Sequence, residues 1–162
     1  MHFALSIFME NIMKTIMMNM TRIMDKDKVL VLDKKKKYGW EGLTFPGGKV
    51  EANETFVEGA VREVKEETNL DISNLEFNGI IQWINHDKNL REVGLLYTTK
   101  EFSGELIEEN IEGNLFFANY EDFKTMEGYS YSMDYILDIY EGKYFEICME
   151  FKNGELIEIK KY

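Results

Sequence analysis

The stretch from Gly48 to Leu70 constrains this chain more than any other. Glu54, Arg62, Glu63, Glu66 and Glu67 recur in it at fixed spacing, just after the tight turn Phe45-Pro46-Gly47-Gly48. Each residue of an α-helix advances about 100°, so Glu63, Glu66 and Glu67 share one arc of roughly 100°. Like charges four residues apart cost a helix about 0.2–0.5 kcal/mol a pair. Three carboxylates on one face are therefore best tolerated where a cation sits among them, and all-oxygen ligands suit a hard cation such as Mg²⁺ or Mn²⁺. A Glu-rich helix is ordinarily only a solvated face. The joint spacing from Gly48 to Leu70 is expected by chance on the order of once in 10⁵ sequences of this composition, which favours a site. The helix limits are legible as well. Thr55 with Glu58 forms a capping box, and Asn69 stands where a left-handed residue should end the helix. Phe56, Val57, Ala60, Val61 and Val64 are the expected apolar stripe. It lies beside the carboxylates rather than opposite them, so one side of the helix packs on a sheet while its flank lines a cleft.

Around this centre the pattern alternates strands and turns. Residues 9–24 are Met-rich and read two ways: Met9, Met13, Met17, Met20 and Met24 recur at helical spacing, whereas Ile16, Met18 and Met20 alternate with polar Asn19 and Thr21 as in a strand. Asp25 to Lys28 is a turn and Val29 to Leu32 a buried strand. Lys34 to Trp40 reads as a loop, and Leu43 to Phe45 as a short strand. Two long strands are expected over 76–85 and 92–102, joined by His86 to Asn89. An acidic loop follows at 108–113, then a strand at Leu115-Phe116-Phe117. Helices are expected over 120–126 and 130–140, the second with Met133, Ile136, Leu137 and Tyr140 on one face. Asn153-Gly154 marks a hairpin between 144–151 and 155–159.

Composition excludes several classes. A net charge of −11 argues against binding nucleic acid through a broad basic face. The single cysteine, Cys148, excludes an internal disulfide and a multi-thiolate metal site, and His2 and His86 are too few for a His-rich zinc site. A reducing, cytoplasmic location is the default expectation. The apolar opening, Met1 to Met9, is short, lacks a basic start and runs into Glu10 and Lys14. It is a poor signal peptide and too short to span a bilayer, so no membrane partner is expected. Residues 1–12 read as a loosely ordered extension, with Met9, Met13 and Met17 as alternative starts, before one domain over 1–162. The segment Gly42 to Val50 is a near miss for a phosphate-binding P-loop; Lys49 comes one place late and no Ser or Thr follows it.

The spacing Gly-x5-Glu-x7-Arg-Glu-(aliphatic)-x-Glu-Glu-x-Gly-(aliphatic) resembles the box of the Nudix hydrolases, with Asn69 in place of the late glycine. Phe45 to Glu51, Gly79-Ile80 with Trp83, Phe102 to Leu106 and Glu112 to Phe117 are similar to its MutT-like branch, the likeness covering about residues 20–120. The resemblance implies an α+β fold, an α/β/α sandwich with a mixed β-sheet flanked by helices, and a strand over 14–24. It implies Mg (or Mn) as cofactor, held by Glu63, Glu66, Glu67, the carbonyl of Gly47 and the loop carboxylate Glu112. Arg62 is expected to pair with Glu54 and fix the loop against the helix. Glu63 or Glu112 is the expected proton acceptor, with Glu108 and Glu109 as rivals to Glu112. Lys49, Trp83 and Phe117 are the expected substrate contacts. The implied reaction is hydrolysis of a small-molecule nucleotide, a nucleoside triphosphate of the 8-oxo-dGTP kind, to monophosphate and pyrophosphate. ADP-ribose or a dinucleoside polyphosphate is the alternative substrate, and a non-catalytic nucleotide-binding module the alternative of another class. Nothing in the sequence fixes the oligomeric state; a homodimer is an open expectation.

Overall fold

The structure, a computed structural model, is described over residues 12–35 and 40–162. Ten strands and three helices are present among them. The Met-rich segment resolves as a strand, β1 (Lys14–Asp25), followed by β2 (Lys28–Lys34), β3 (Gly42–Thr44) and helix α1 (Phe56–Thr68). Then come β4 (Asp71–Ser73), β5 (Glu76–Asn85), β6 (Leu90–Thr99), β7 (Glu101–Ser103), β8 (Gly113–Asn119), α2 (Tyr120–Phe123), α3 (Met133–Tyr140), β9 (Glu146–Lys152) and β10 (Glu155–Lys161). The expected extension over 1–12 lies, apart from Ile12, outside the described residues, as do Lys36 to Gly39 of the lysine loop.

The main sheet is mixed. Its order is β10-β9-β5-β6-β1-β2-β3, with β8 on β2, and β1·β6 and β5·β9 are parallel. β1 meets β2 only at Met24↔Val29 and Asp25↔Lys28. Earlier in its course that edge of β1 is taken by the glycine turn instead: the amides of Asn19 and Thr21 donate to the carbonyls of Gly48 and Pro46 (both 2.8 Å). The sheet thus splays beside β1, and the turn sits in the gap. α1 packs over β1 on one face, and α3 over β5 and β9 on the other. Ile23, Leu30, Leu32, Val64 and Leu70 fill the first core; Ile81, Phe123, Ile136, Ile139 and Ile147 belong to the second. Among the described residues no helix is long and apolar enough to cross a membrane.

Three local expectations shift. The long strand expected over 92–102 breaks after Thr99, whose hydroxyl bonds the Ser73 carbonyl (2.6 Å) and accepts from the Glu101 amide (3.0 Å), so β7 leaves the main sheet to pair with β4. The helix expected over 120–126 stops at Phe123, because the chain must return to β3 through the Leu43 amide and Gly128 carbonyl (2.8 Å). α3 starts late, at Met133, after Ser132 in the left-handed region (φ 62°). The buried line of α1 is also rotated: Ala60, Val64, Glu67 and Thr68 are inside, while Phe56 and Val57 are each 46% exposed. That rotation carries a carboxylate inward.

Both ends of α1 are capped by local chemistry. The Thr55 hydroxyl accepts from the Glu58 amide (3.2 Å) and the Glu58 carboxylate from the Thr55 amide (2.7 Å). Asn69 is left-handed (φ 63°), and its side-chain amide donates to the Glu105 carbonyl (2.9 Å). Asn69→Gly relieves the left-handed cost but forfeits that exposed bond, so its melting temperature should stay close to wild type. Asn69→Val keeps neither and should lose about 1–2 kcal/mol. Chemical denaturation of both variants checks this; equal stabilities would contradict the left-handed cap.

Candidate active site

One guanidinium organises the site. Arg62 Nε and Nη2 donate to the two oxygens of Glu54 (3.0 and 2.8 Å), a bidentate pair across the loop–helix junction. Nη2 also donates to the Lys49 carbonyl (2.9 Å), and Nη1 to Glu63 (3.0 Å) and Glu66 (3.1 Å). Glu54 accepts in addition from the Glu51 amide (2.8 Å). The Arg62 bonds, followed by that amide, hold the Glu54 carboxyl down to about 2, and the carboxylates around Arg62 raise its own pKa. Such bidentate, charge-assisted bonds fix geometry as well as energy. The ordinary surface pair with Glu66 also exists, but Glu66 is the exposed partner, whereas Glu54 and Glu63 are mostly covered.

Glu67 lies deeper, 6% exposed, with Oε2 accepting from the Gly47 amide (2.8 Å). The glycine turn is threaded closely enough that a Cβ on Gly47 would strike the Asn19 carbonyl, and one on Gly48 the Glu63 carboxylate. At Gly47 the obstacle is backbone, so glycine there is a packing requirement; at Gly48 only the end of the Glu63 side chain would have to move. Burial pushes the Glu67 carboxyl up to about 8. The charge of Glu112 adds to the rise, while the Gly47 amide and Lys34 work against it. Burial likewise raises Glu63, opposed by Arg62 and aided by Glu66 and Glu112.

Glu112 is the acidic-loop residue that reaches this cluster. It lines the same cavity as Glu63, and Lys34 at the end of β2 approaches its Oε2 to 2.6 Å. Of its rivals, Glu109 pairs outward with Lys35 and Glu108 lines a separate surface hollow. A residue the sequence reading passed over sets this loop. The Asn110 side chain donates to the Glu67 carbonyl at the end of α1 (2.6 Å) and accepts from the amides of Glu112 and Gly113 (2.7 and 2.9 Å). Its only sequence signal is that Asn commonly bonds backbone two or three residues ahead.

The cavity of about 340 Å³ runs inward from Gly47, Gly48, Lys49 and Glu63 to an aromatic floor. Trp83 is buried, its indole N–H donating to Ser132 Oγ (2.9 Å), and Trp40 meets it edge-on with centroids 5.3 Å apart. Met18, Met20 and Leu96 complete the apolar wall; Thr44 and Ser130 contribute hydroxyls. Phe117 is not part of this wall. Strand alternation on β8 puts it on the α1 side, opposite Leu30 and stacked on Phe102 (5.7 Å). Asn114, Asn119 and Asp122 do not line the cavity either; Asn119 caps α2.

Among the described residues no three acidic side chains already converge on one point, since Arg62 holds Glu63 and Glu66 while the Gly47 amide holds Glu67. The donor set nevertheless suits a divalent cation. The charge of Glu112 lies near enough to raise both Glu63 and Glu67, all three side chains offer oxygen, and burial favours the protonated form of Glu67 in the absence of a cation. In metal-free protein the folded state holds a proton on Glu67 between the unfolded value near 4.5 and about 8, so Glu67 costs stability progressively as pH rises through that window. Glu67→Gln should therefore melt above wild type in chelator at pH 8, with the gap closing toward pH 5. A gap independent of pH would contradict the protonated, buried carboxyl.

Comparison with known proteins agrees with this architecture. The chain is 24% identical to a MutT protein of Bacillus halodurans whose crystal structure superposes with a TM-score of 0.73, over 90% of this chain and 97% of that one. A MutT Nudix hydrolase of Burkholderia pseudomallei gives 19% and 0.67 over 77% and 97%. At such identities the likeness speaks to the fold. In sequence, an uncharacterized Nudix hydrolase of Bacillus subtilis is 29% identical over 62% of this chain and 63% of its own length. An ADP-ribose pyrophosphatase of Methanocaldococcus jannaschii is 33% identical over 52% of this chain and 50% of its own. The matches thus span less than two thirds of these relatives. The NUDIX domain model matches residues 16–129, well over half of the 162, and the chain belongs to that family.

Proposed function

We propose that the protein is a Mg²⁺- or Mn²⁺-dependent hydrolase of phosphoric anhydrides that cleaves a purine nucleoside triphosphate, including oxidised forms such as 8-oxo-dGTP, to monophosphate and pyrophosphate. The observation that carries this reading is the continuity of one cavity, from the acidic face of α1 to the Trp40–Trp83 floor, with Lys34 and Lys49 on its walls. A ring buried against indole leaves its polyphosphate near the two ammonium groups and the carboxylates. Stacking on aromatic side chains is worth about 1–3 kcal/mol per base.

Glu63, Glu66, Glu67, Glu112 and the Gly47 carbonyl would hold the cation, which when bound polarises phosphoryl oxygens and lowers the pKa of coordinated water. Arg62 and Glu54 keep the glycine turn and α1 in register while the cation is exchanged. Glu63, raised by burial and pressed over Gly48, is placed to accept the proton of the attacking water, and Glu112 is the second acceptor within the cavity. Recognition of an oxidised edge would fall to the hydroxyls of Thr44 and Ser130. The relative named as an ADP-ribose pyrophosphatase supports a second reading, ADP-ribose as substrate, on the same acidic face.

Two experiments separate these readings. Relative kcat/KM for 8-oxo-dGTP, dGTP, ADP-ribose and a diadenosine polyphosphate, with phosphate and pyrophosphate read separately, should favour the triphosphates with pyrophosphate as product. A tenfold lead for ADP-ribose would replace the first reading by the second. Gly48→Ala displaces only the flexible end of Glu63, so turnover should fall about 10²-fold with little change in melting temperature. Unchanged turnover would remove Glu63 from the reacting centre.

A further inference from the structure

The C-terminal hairpin lies beyond the residues matched by the family model, and among the described residues β10 forms the outer edge of the main sheet. Asn153 and Gly154, at φ 55° and 74°, make the tight turn that folds β10 onto β9. Leu156 and Ile157 on this strand are 42% and 54% exposed, and Tyr162 just after it is 58% exposed.

The charges of β10 are divided along its length: Glu155 and Glu158 in the first half, Lys160 and Lys161 in the second. Antiparallel pairing of the strand with another copy of itself sets each acidic half against a basic one; parallel pairing would set like against like. Cross-strand opposite charges stabilise such pairs and like charges oppose them. The backbone phase narrows the register. The Tyr162 amide donates to the Glu146 carbonyl (2.9 Å) and the Tyr162 carbonyl accepts from the Glu146 amide (3.4 Å), so Tyr162 faces β9. Alternation then turns Lys160 and Glu158 toward β9, and Ile159 and Lys161 present their N–H and C=O groups to the open edge. A two-fold axis at Ile159 uses those groups. It places Glu158 opposite Lys160 of the second copy on both sides of the axis, within the regular stretch that follows the register shift between Leu156 and Glu158. Glu158 already approaches Lys160 of its own strand (3.3 Å), so the second copy extends an existing charge pair.

We propose that the free edge of β10 is the interface of a homodimer, two copies joining antiparallel about Ile159 into one continuous sheet. The acidic face and glycine turn lie beside β1, and the cavity floor on β5 and β6 is separated from β10 by β9, so pairing at the β10 edge leaves the site open in each copy. The test is sedimentation velocity of the full chain and of two charge variants, K160E/K161E (an all-acidic strand) and E155K/E158K (an all-basic strand). Wild type should dimerise, each variant alone should show a dissociation constant at least ~10-fold weaker, and the equimolar mixture should recover dimer. Circular dichroism and nucleotide hydrolysis of each variant establish that the fold is intact. A wild type that stays monomeric to about 100 µM, variants that dimerise like wild type, or a mixture that remains monomeric would each overturn the proposal.

Discussion

The bidentate contact between Arg62 and Glu54 is the interaction on which the rest of the site depends. It joins the loop that carries Gly47, Gly48 and Lys49 to the helix that carries Glu63, Glu66 and Glu67, and the same guanidinium also caps the Lys49 carbonyl. Exposed ion pairs contribute about 0–1 kcal/mol each, so the role of this one is better measured by geometry than by stability. With both Glu54 oxygens engaged, Arg62 cannot rotate away when a cation draws off Glu63 or Glu66. The clamp can persist through a change of ligands around it.

Against this fixed frame stands a deliberate electrostatic conflict. A carboxylate inside a protein loses hydration worth several kcal/mol, and neighbouring carboxylates add repulsion. One amide from Gly47 and one nearby ammonium, Lys34, do not outweigh burial at Glu67, and its pKa stays raised. A divalent cation bound there, as proposed, would reverse the balance, because it opposes burial and repulsion together. Such unresolved strain is what a fold tolerates at a site of function rather than in its core.

Much of this was legible beforehand because it is local. The capping box at Thr55 and Glu58, the left-handed Asn69 and the shared face of the three carboxylates follow from helix geometry over a few residues. The turn at Asn153-Gly154 follows from its two positive φ values. What escaped depends on distant partners. Phe117 looks like a ring available for a base, yet strand alternation commits it to the α1 side against Phe102. Phe56 and Val57 fit an apolar stripe, but the anchoring of Glu67 at Gly47 turns the helix past them. The choice of Glu112 over Glu109 rests on Asn110 reaching the end of α1, forty-three residues away in sequence, which no local pattern announces. β10 reads as an ordinary hairpin arm until the sheet order shows that no described strand pairs with its second edge.

The proposed exchange of a proton for a metal ion at Glu67 can be tested directly. Mn²⁺ titrated calorimetrically into the full chain at pH 7, in buffers of different ionisation enthalpy, reports the protons released on binding. Release of roughly one proton per protein is expected at pH 7, declining as the pH rises through about 8 and absent in Glu67→Gln, because the carboxyl is neutral before the cation arrives. Binding with no buffer dependence, or with the same release in Glu67→Gln, would contradict a buried, protonated Glu67 as the heart of the cation site.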